Sequence, residues 1–171
     1  MLTGRRRLVV TILAVVLLVL SGCTEADSGA ADGPTPTPLP PPPALLDLGP
    51  LAVALDGVQD PGNVGTILRT ADAAGFSGML LSPVCADPYA PKALRATMGS
   101  IFRLPLLCPP SLPEALAALG AAGYSLVSAE LGGSAFFGRA GVKKPLCLVI
   151  GSEGQGVSPQ VSALCTHRLA L

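Results

Sequence analysis

From Leu51 onward the chain alternates short apolar runs with longer stretches in which apolar residues return every third or fourth position. The runs LAVAL (51–55), GMLLS (78–82), YSLVSA (124–129), LCLVIG (146–151) and HRLAL (167–171) predict buried strands, and IFRLPL (101–106) a further one. Helices are predicted at 63–74, 91–98, 111–122 and 158–165. Strands alternating with helices in this way predict an α/β domain: a mostly parallel, doubly wound sheet with helices on both faces. In such sheets ligands bind outside the carboxyl ends of the strands, which directs attention to the segments after Leu55, Ala129 and Ile150.

The first part of the chain follows other rules. Arg5, Arg6 and Arg7 form a basic region, Leu8 to Leu20 an apolar one, and LSGC ends on small residues before Cys23. This is the layout of a signal peptide, with an apolar stretch shorter than the roughly 20 residues that span a bilayer comfortably. Cys23 stands where a bacterial lipoprotein processing box places its lipidated cysteine. An uncleaved anchor, a misplaced gene start and a fusion scar remain alternatives. Residues 24–45 are rich in proline and poor in large apolar groups, so they cannot offset their ordering entropy and predict a disordered, semi-rigid linker. Three regions result: a signal segment at 1–23, the linker at 24–45, and one domain at 46–171.

Composition narrows the chemistry. Charged residues make up 13 % of the 171 positions and the formal net charge is zero, so RNA contact would have to be local rather than the work of a basic field. The five cysteines share no zinc or redox spacing, and the last four predict buried apolar thiols. His167 is the one histidine, expected at a strand edge; it excludes a multi-histidine metal site, and no metal is expected.

Two segments carry candidate chemistry. In DPGNVGTILRTADAAG, beginning at Asp60, Val64, Ile67, Leu68, Ala71 and Ala74 recur at helical spacing and leave Arg69, Thr70 and Asp72 off the buried face. Asn63 suits the N-cap, and Gly62 and Gly65 allow close backbone approach. Arg69 lies about 9 Å along the axis from Asn63, yet side chains lean toward the helix N-terminus, so its guanidinium can reach back to the strand edge. An ordinary cap followed by a solvated arginine reads the same residues equally well. The second segment, LVIGSEGQGV, sets Gly151, Gly154 and Gly156 around Glu153 just after a buried strand, either as a bare backbone ledge for a ligand or as a tight turn. It matches neither a P-loop nor a dinucleotide fingerprint, which removes the reading as a generic nucleotide-binding oxidoreductase.

Together, LDGVQDPGNVGTILRTADAAGF, KALRATMGSIFRLPL and LVIGSEGQGV resemble the SpoU (TrmH-like) branch of the SPOUT methyltransferases, from about Leu51 to the last residue. The resemblance implies methyl transfer from S-adenosylmethionine to a ribose 2′-hydroxyl of tRNA or rRNA, a trefoil knot on the C-terminal side of the sheet, and a homodimer. Matched by position, Asn63, Arg69 and Glu153 fall in catalytic motifs, with the arginine handling the hydroxyl. Gly151 and Gly156 fall in the backbone cradle of the cofactor, and Leu171 where a residue touches the adenosyl group. Lys92 and Arg95 read either as RNA phosphate contacts or as a solvated helix face.

The resemblance also carries a departure. In the family the strand matched by HRLAL is followed by a loop with Ser and Asn and then a helix, which close the cofactor pocket, complete the knot and supply dimer contact. The expectation is a truncated domain with a half-walled pocket, weak cofactor binding and no methyl transfer by this chain alone. Membrane contact is expected only through the N-terminal segment, and location divides accordingly: cytoplasmic by the domain's reactants, membrane-anchored by the signal. An exported lipoprotein carrying a degenerate, non-enzymatic module is the alternative.

Overall fold

The computed structural model describes residues 48–135 and 142–170, together with Leu45. Six parallel strands form one sheet in the order β3-β2-β1-β5-β4-β6. They are β1 (Leu51–Asp56), β2 (Gly78–Leu81), β3 (Leu106–Leu107), β4 (Ser125–Ala135), β5 (Leu146–Gly151) and β6 (His167–Ala170). The helices are α1 (Pro61–Ala73), α2 (Pro91–Thr97), α3 (Leu112–Ala121) and α4 (Pro159–Leu164), with a 3-10 turn at Ser100–Phe102. The predicted class holds, and every pairing is parallel.

The apolar runs are continuous because both faces of the sheet are covered. Val53 and Leu55 of β1, Met79 and Leu81 of β2 and Ile150 of β5 point into one core, closed by Val64, Ile67 and Leu68 of α1. Their neighbours Ala52, Ala54, Leu80, Cys147 and Val149 point into the other, closed by Leu112, Leu116 and Leu119 of α3 and Val161 of α4. This is the period-two alternation of a strand expressed on two buried faces. At about 1.5–3 kcal/mol for each large side chain removed from water, the two cores supply most of the stabilisation.

Helix α1 begins earlier than the apolar spacing predicts, and its cap is a different residue. Asp60, with extended backbone, accepts from the Gly62 N–H at 2.7 Å, and Pro61 follows at the first helical position. Asn63 is therefore inside the first turn and is not the cap. The helix ends where Gly75 (φ 74°) takes a left-handed backbone, with the Phe76 N–H on the Ala71 carbonyl and the Gly75 N–H on that of Asp72. Gly65 sets the spacing to α2: a Cβ there would stand 2.4 Å from the Ala93 carbonyl oxygen.

The predicted strand at IFRLPL is corrected too. Residues 100–102 form the 3-10 turn and only Leu106–Leu107 pair, with Met79 and Leu80 of β2. β4 is longer than predicted, because it meets β6 twice: Ala129 stands opposite Leu169, and so does Ser134, with the intervening residues bulged. Gly133 lies at this bulge, where a Cβ would be 2.7 Å from the Arg168 backbone.

The chain steps outward from β1 through β2 to β3, then crosses to β4 on the other side, fills the place beside β1 with β5 and ends outside β4 with β6. The reversal places a crevice between the carboxyl ends of β1 and β5, where open α/β sheets bind ligands. Asp56 pairs with Gly151, so both strands release their loops at the same level.

Candidate functional site

The loop after β1 leaves through Gly57, whose positive φ of 72° turns the chain sharply and whose N–H donates to the Ser82 hydroxyl at 3.0 Å. The loop after β5 folds on itself. Ser152 and Gly156 exchange N–H to carbonyl hydrogen bonds at 3.0 Å each, and the Gln155 N–H donates to the Ser152 hydroxyl at 3.1 Å. Gly151 has no room for a side chain, since a Cβ would lie 1.9 Å from the Gly156 carbonyl carbon and 2.1 Å from the Val157 nitrogen. Gly156 turns the chain with φ 72°. The tip of this hairpin presents Glu153 and bare backbone at Gly154.

The two loops are tied together at both ends. Asp56, the last residue of β1, accepts from the Ser158 N–H at 2.7 Å, fixing the exit of the glycine hairpin. At the opposite end Asn63 donates its side-chain amide to a carboxylate oxygen of Glu153. Between them lies a cleft of about 400 Å³ lined by Asp56, Gly57, Gln59, Val84 and residues 152–159.

Asn63 and Glu153 are thus brought together from distant parts of the chain, and Gly151 packs against Gly156 within the loop that carries Glu153. Arg69 is exposed on α1, off the buried face as its spacing predicts, and makes no hydrogen bond or ion pair among the described residues. Lys92 is held by Asp60, whose carboxylate oxygen lies 2.7 Å from its Nζ while also capping α1. Arg95 is exposed on the last turn of α2. Leu171 and Cys23 lie outside the described residues, as does the whole signal segment.

Three residues of this region were not singled out by the sequence. Asp60 carries a readable signal, an Asp-Pro pair opening a helix. Asp56 at a strand end carries none. Arg103, which follows the 3-10 turn, clamps α1 by donating to Asp72 through Nε at 3.0 Å and through its terminal nitrogen at 2.5 Å. Partial burial raises the Asp72 carboxyl, but hydrogen bonds from Ser100 and Arg103 outweigh it and leave the group below its ordinary value.

The four described cysteines are free, and among them only Cys147 is fully buried; Cys108 is exposed, and Cys85 and Cys165 are half-buried. The prediction of four buried thiols fails because Cys108 lies just past β3, at the edge of the sheet. Burial drives the Cys147 thiol far up. His167 opens edge strand β6, its ring nitrogen 3.0 Å from the Thr166 hydroxyl. Among the described residues no group of three or more His, Cys, Asp or Glu could hold a metal ion, and no helix is long and apolar enough to cross a membrane.

The SpoU rRNA Methylase family model matches residues 50–171. An uncharacterized tRNA/rRNA methyltransferase of Synechocystis is 40% identical over 121 residues, covering 71% of this chain and 44% of that protein. A 23S rRNA (uridine(2479)-2′-O)-methyltransferase of Streptomyces viridochromogenes is 36% identical over 71% of this chain and 44% of its own length. The chain thus spans less than half the length of either relative. Among solved structures, the SpoU methyltransferase AviRb from Streptomyces viridochromogenes, in complex with AdoMet, superposes with a TM-score of 0.64 at 35% identity, covering 71% of this chain and 48% of that one.

Proposed function

The chain belongs to the SpoU rRNA methylase family, and from that membership we propose that its domain transfers a methyl group from S-adenosylmethionine to a ribose 2′-hydroxyl of tRNA or rRNA. The observation that carries this reading is the hydrogen bond between Asn63 and Glu153, which joins the two matched motifs at the mouth of the crevice between β1 and β5. The relative named a 2′-O-methyltransferase and the AdoMet complex of AviRb support the choice of acceptor and donor.

The residues present fit such a donor. A cleft of about 400 Å³ falls within the roughly 300–1,000 Å³ of small-molecule sites. Gly154 and Gly156 line it without side chains, and Gly151 lets the hairpin that forms its wall fold tightly. The loop from Gly151 to Gly156 would hold the cofactor, with Leu171 against its adenosyl group. When bound, S-adenosylmethionine supplies a methyl group already activated by a sulfonium.

The protein's share is then alignment, worth about 7–11 kcal/mol of barrier when donor and acceptor are held in reacting geometry. Arg69 meets the hydroxyl oxygen. Its guanidinium stabilises the oxygen as negative charge develops, rather than taking up its proton. Asn63 and Glu153 orient the reacting ribose from the rim. Arg95 and Lys92 contact RNA phosphates, Arg95 more freely, because Lys92 already serves Asp60. A homodimer acting in the cytoplasm, where both reactants occur, belongs to the same reading.

Methyl transfer from radiolabelled S-adenosylmethionine to cellular RNA, followed by digestion to nucleosides and mass spectrometry, tests the proposal. The expected product is a 2′-O-methyl nucleoside whose formation Arg69→Ala abolishes. A methyl group on a base overturns the ribose assignment.

A further inference from the structure

Phe102 is 87% exposed, Met98 72% and Tyr89 62%, and Leu94 stands beside them at 38%. These residues follow one path. Tyr89 precedes α2, Leu94 lies within it, Met98 closes it and Phe102 ends the 3-10 turn. The path runs alongside α1, since Lys92 is fastened to Asp60 at the start of α1 and Arg103 to Asp72 near its end. At 1.5 Å per residue the interval from Asp60 to Asp72 is about 18 Å. The segment that carries the row therefore starts beside the first turn of α1, the turn that holds Asn63.

Met98 adds a second observation. Its backbone is left-handed (φ 50°), and among non-glycine residues it alone has positive φ in the described chain. Helix ends favour glycine in this conformation, and Gly99 follows immediately with φ 87°. A long apolar side chain is nevertheless kept here and turned out to solvent.

Charge identifies the occupant. The carboxylates of Asp60 and Asp72 beside the row are matched by Lys92 and Arg103, and the exposed Asp87 accepts from the Tyr89 N–H at 2.8 Å. Arg69 and Arg95 are exposed and make no hydrogen bond or ion pair among the described residues. Exposed aromatic rings and a polarizable thioether, on the same stretch of chain as the exposed guanidinium of Arg95, are the chemistry that holds unpaired bases and their phosphates. The core of an interface between two protein copies would instead be depleted of charge.

We propose that the row Tyr89, Met98 and Phe102, with Arg95, is a stacking platform for an unpaired stretch of RNA that flanks the target nucleotide. This rests on the RNA-methylation reading and extends it from the reacting ribose to the strand beside it. The platform recognises single strands, whose bases can leave their own stack, and is tolerant of sequence.

The sequence contains no tryptophan, so Phe102→Trp creates a single reporter at a position exposed enough to leave the fold unchanged. Titration with a short single-stranded RNA of mixed sequence is expected to quench its emission, and the same RNA annealed to its complement to do so far less. Phe102→Ala is expected to weaken single-strand binding, read by anisotropy of the labelled RNA, by roughly 5- to 100-fold. Unchanged emission together with parental affinity for Phe102→Ala overturns the platform. So does a dimer, seen by sedimentation, that Phe102→Ala splits without altering RNA affinity, because the row then faces a second copy. Methyl transfer assayed on the same samples separates the two levels. Transfer with no effect of Phe102 on RNA affinity overturns the platform alone, whereas quenching without transfer or cofactor binding sustains the platform and overturns the methylation reading.

Discussion

Asn63 donates its side-chain amide to a carboxylate oxygen of Glu153, 90 positions further along the chain, across the carboxyl end of the β1–β5 ladder. The pair sits at the surface, so its removal should cost activity rather than stability. A hydrogen bond to a charged group is worth about 1.5–3 kcal/mol, and each 1.36 kcal/mol is about tenfold in rate. Glu153→Ala is expected to slow methyl transfer about 10- to 100-fold in initial-rate assays. Glu153→Gln, which keeps an acceptor oxygen, should fall between. Both should leave the unfolding free energy within about 0.5 kcal/mol of the parent, and a larger drop in denaturant titration would make the contact structural.

The glycine hairpin makes a sharper distinction. Gly151→Ala drives a Cβ to 1.9 Å from the Gly156 backbone, which has no flexible end to give way. A destabilisation of more than about 2 kcal/mol is expected, at the upper part of the range for overpacking. Gly154→Ala meets nothing within 4 Å and should unfold in urea like the parent. Equal midpoints for the two variants would refute the close approach.

Capping assigns opposite outcomes to two neighbours. Asp60→Ala removes the acceptor for the Gly62 N–H and the partner of Lys92, and should cost about 1–2 kcal/mol. Asn63→Ala removes no cap and should cost much less. Thermal denaturation of the two proteins side by side checks the order.

Asp72 supplies a pH dependence. Its carboxyl is lowered in the folded protein from the usual value of 3.8, so the folded state holds that proton less tightly than the unfolded chain. The associated stability is fully present above about pH 4 and is lost as the pH falls through the lowered folded value. Arg103→Met should therefore destabilise the protein at neutral pH, by no more than about 1 kcal/mol for a partly exposed pair. The difference from the parent should shrink in acid, and denaturant midpoints measured from pH 7 down to pH 3 would show it.

Much of this was legible in the sequence because local rules decided it. Val64, Ile67, Leu68, Ala71 and Ala74 recur at helical spacing and all five are buried, since the face of a helix is set within a few turns. The apolar runs marked the long strands for a similar reason. IFRLPL misled because its apolar residues fill a turn and lean on neighbouring elements, leaving only two paired residues. Asn63 was mistaken for a cap because several residues near a helix start can accept a backbone N–H; Pro61 decides in favour of Asp60 by fixing the first helical position. The Asn63–Glu153 and Asp56–Ser158 links depend on which strands become neighbours, and no local pattern encodes that order. The pairing of the two motifs at one site came from resemblance rather than from spacing.

The central place of β1 has a consequence for how activity is acquired. Its two flanks are filled at different times in the chain's course, by β2 soon after and by β5 only some ninety residues later. The rim carrying Asn63 can be shaped early, but it has no opposing wall until the last ladder zips along β1. On the proposed reading, cofactor capture by this domain would therefore report the completion of its most distant strand pairing, β1 with β5.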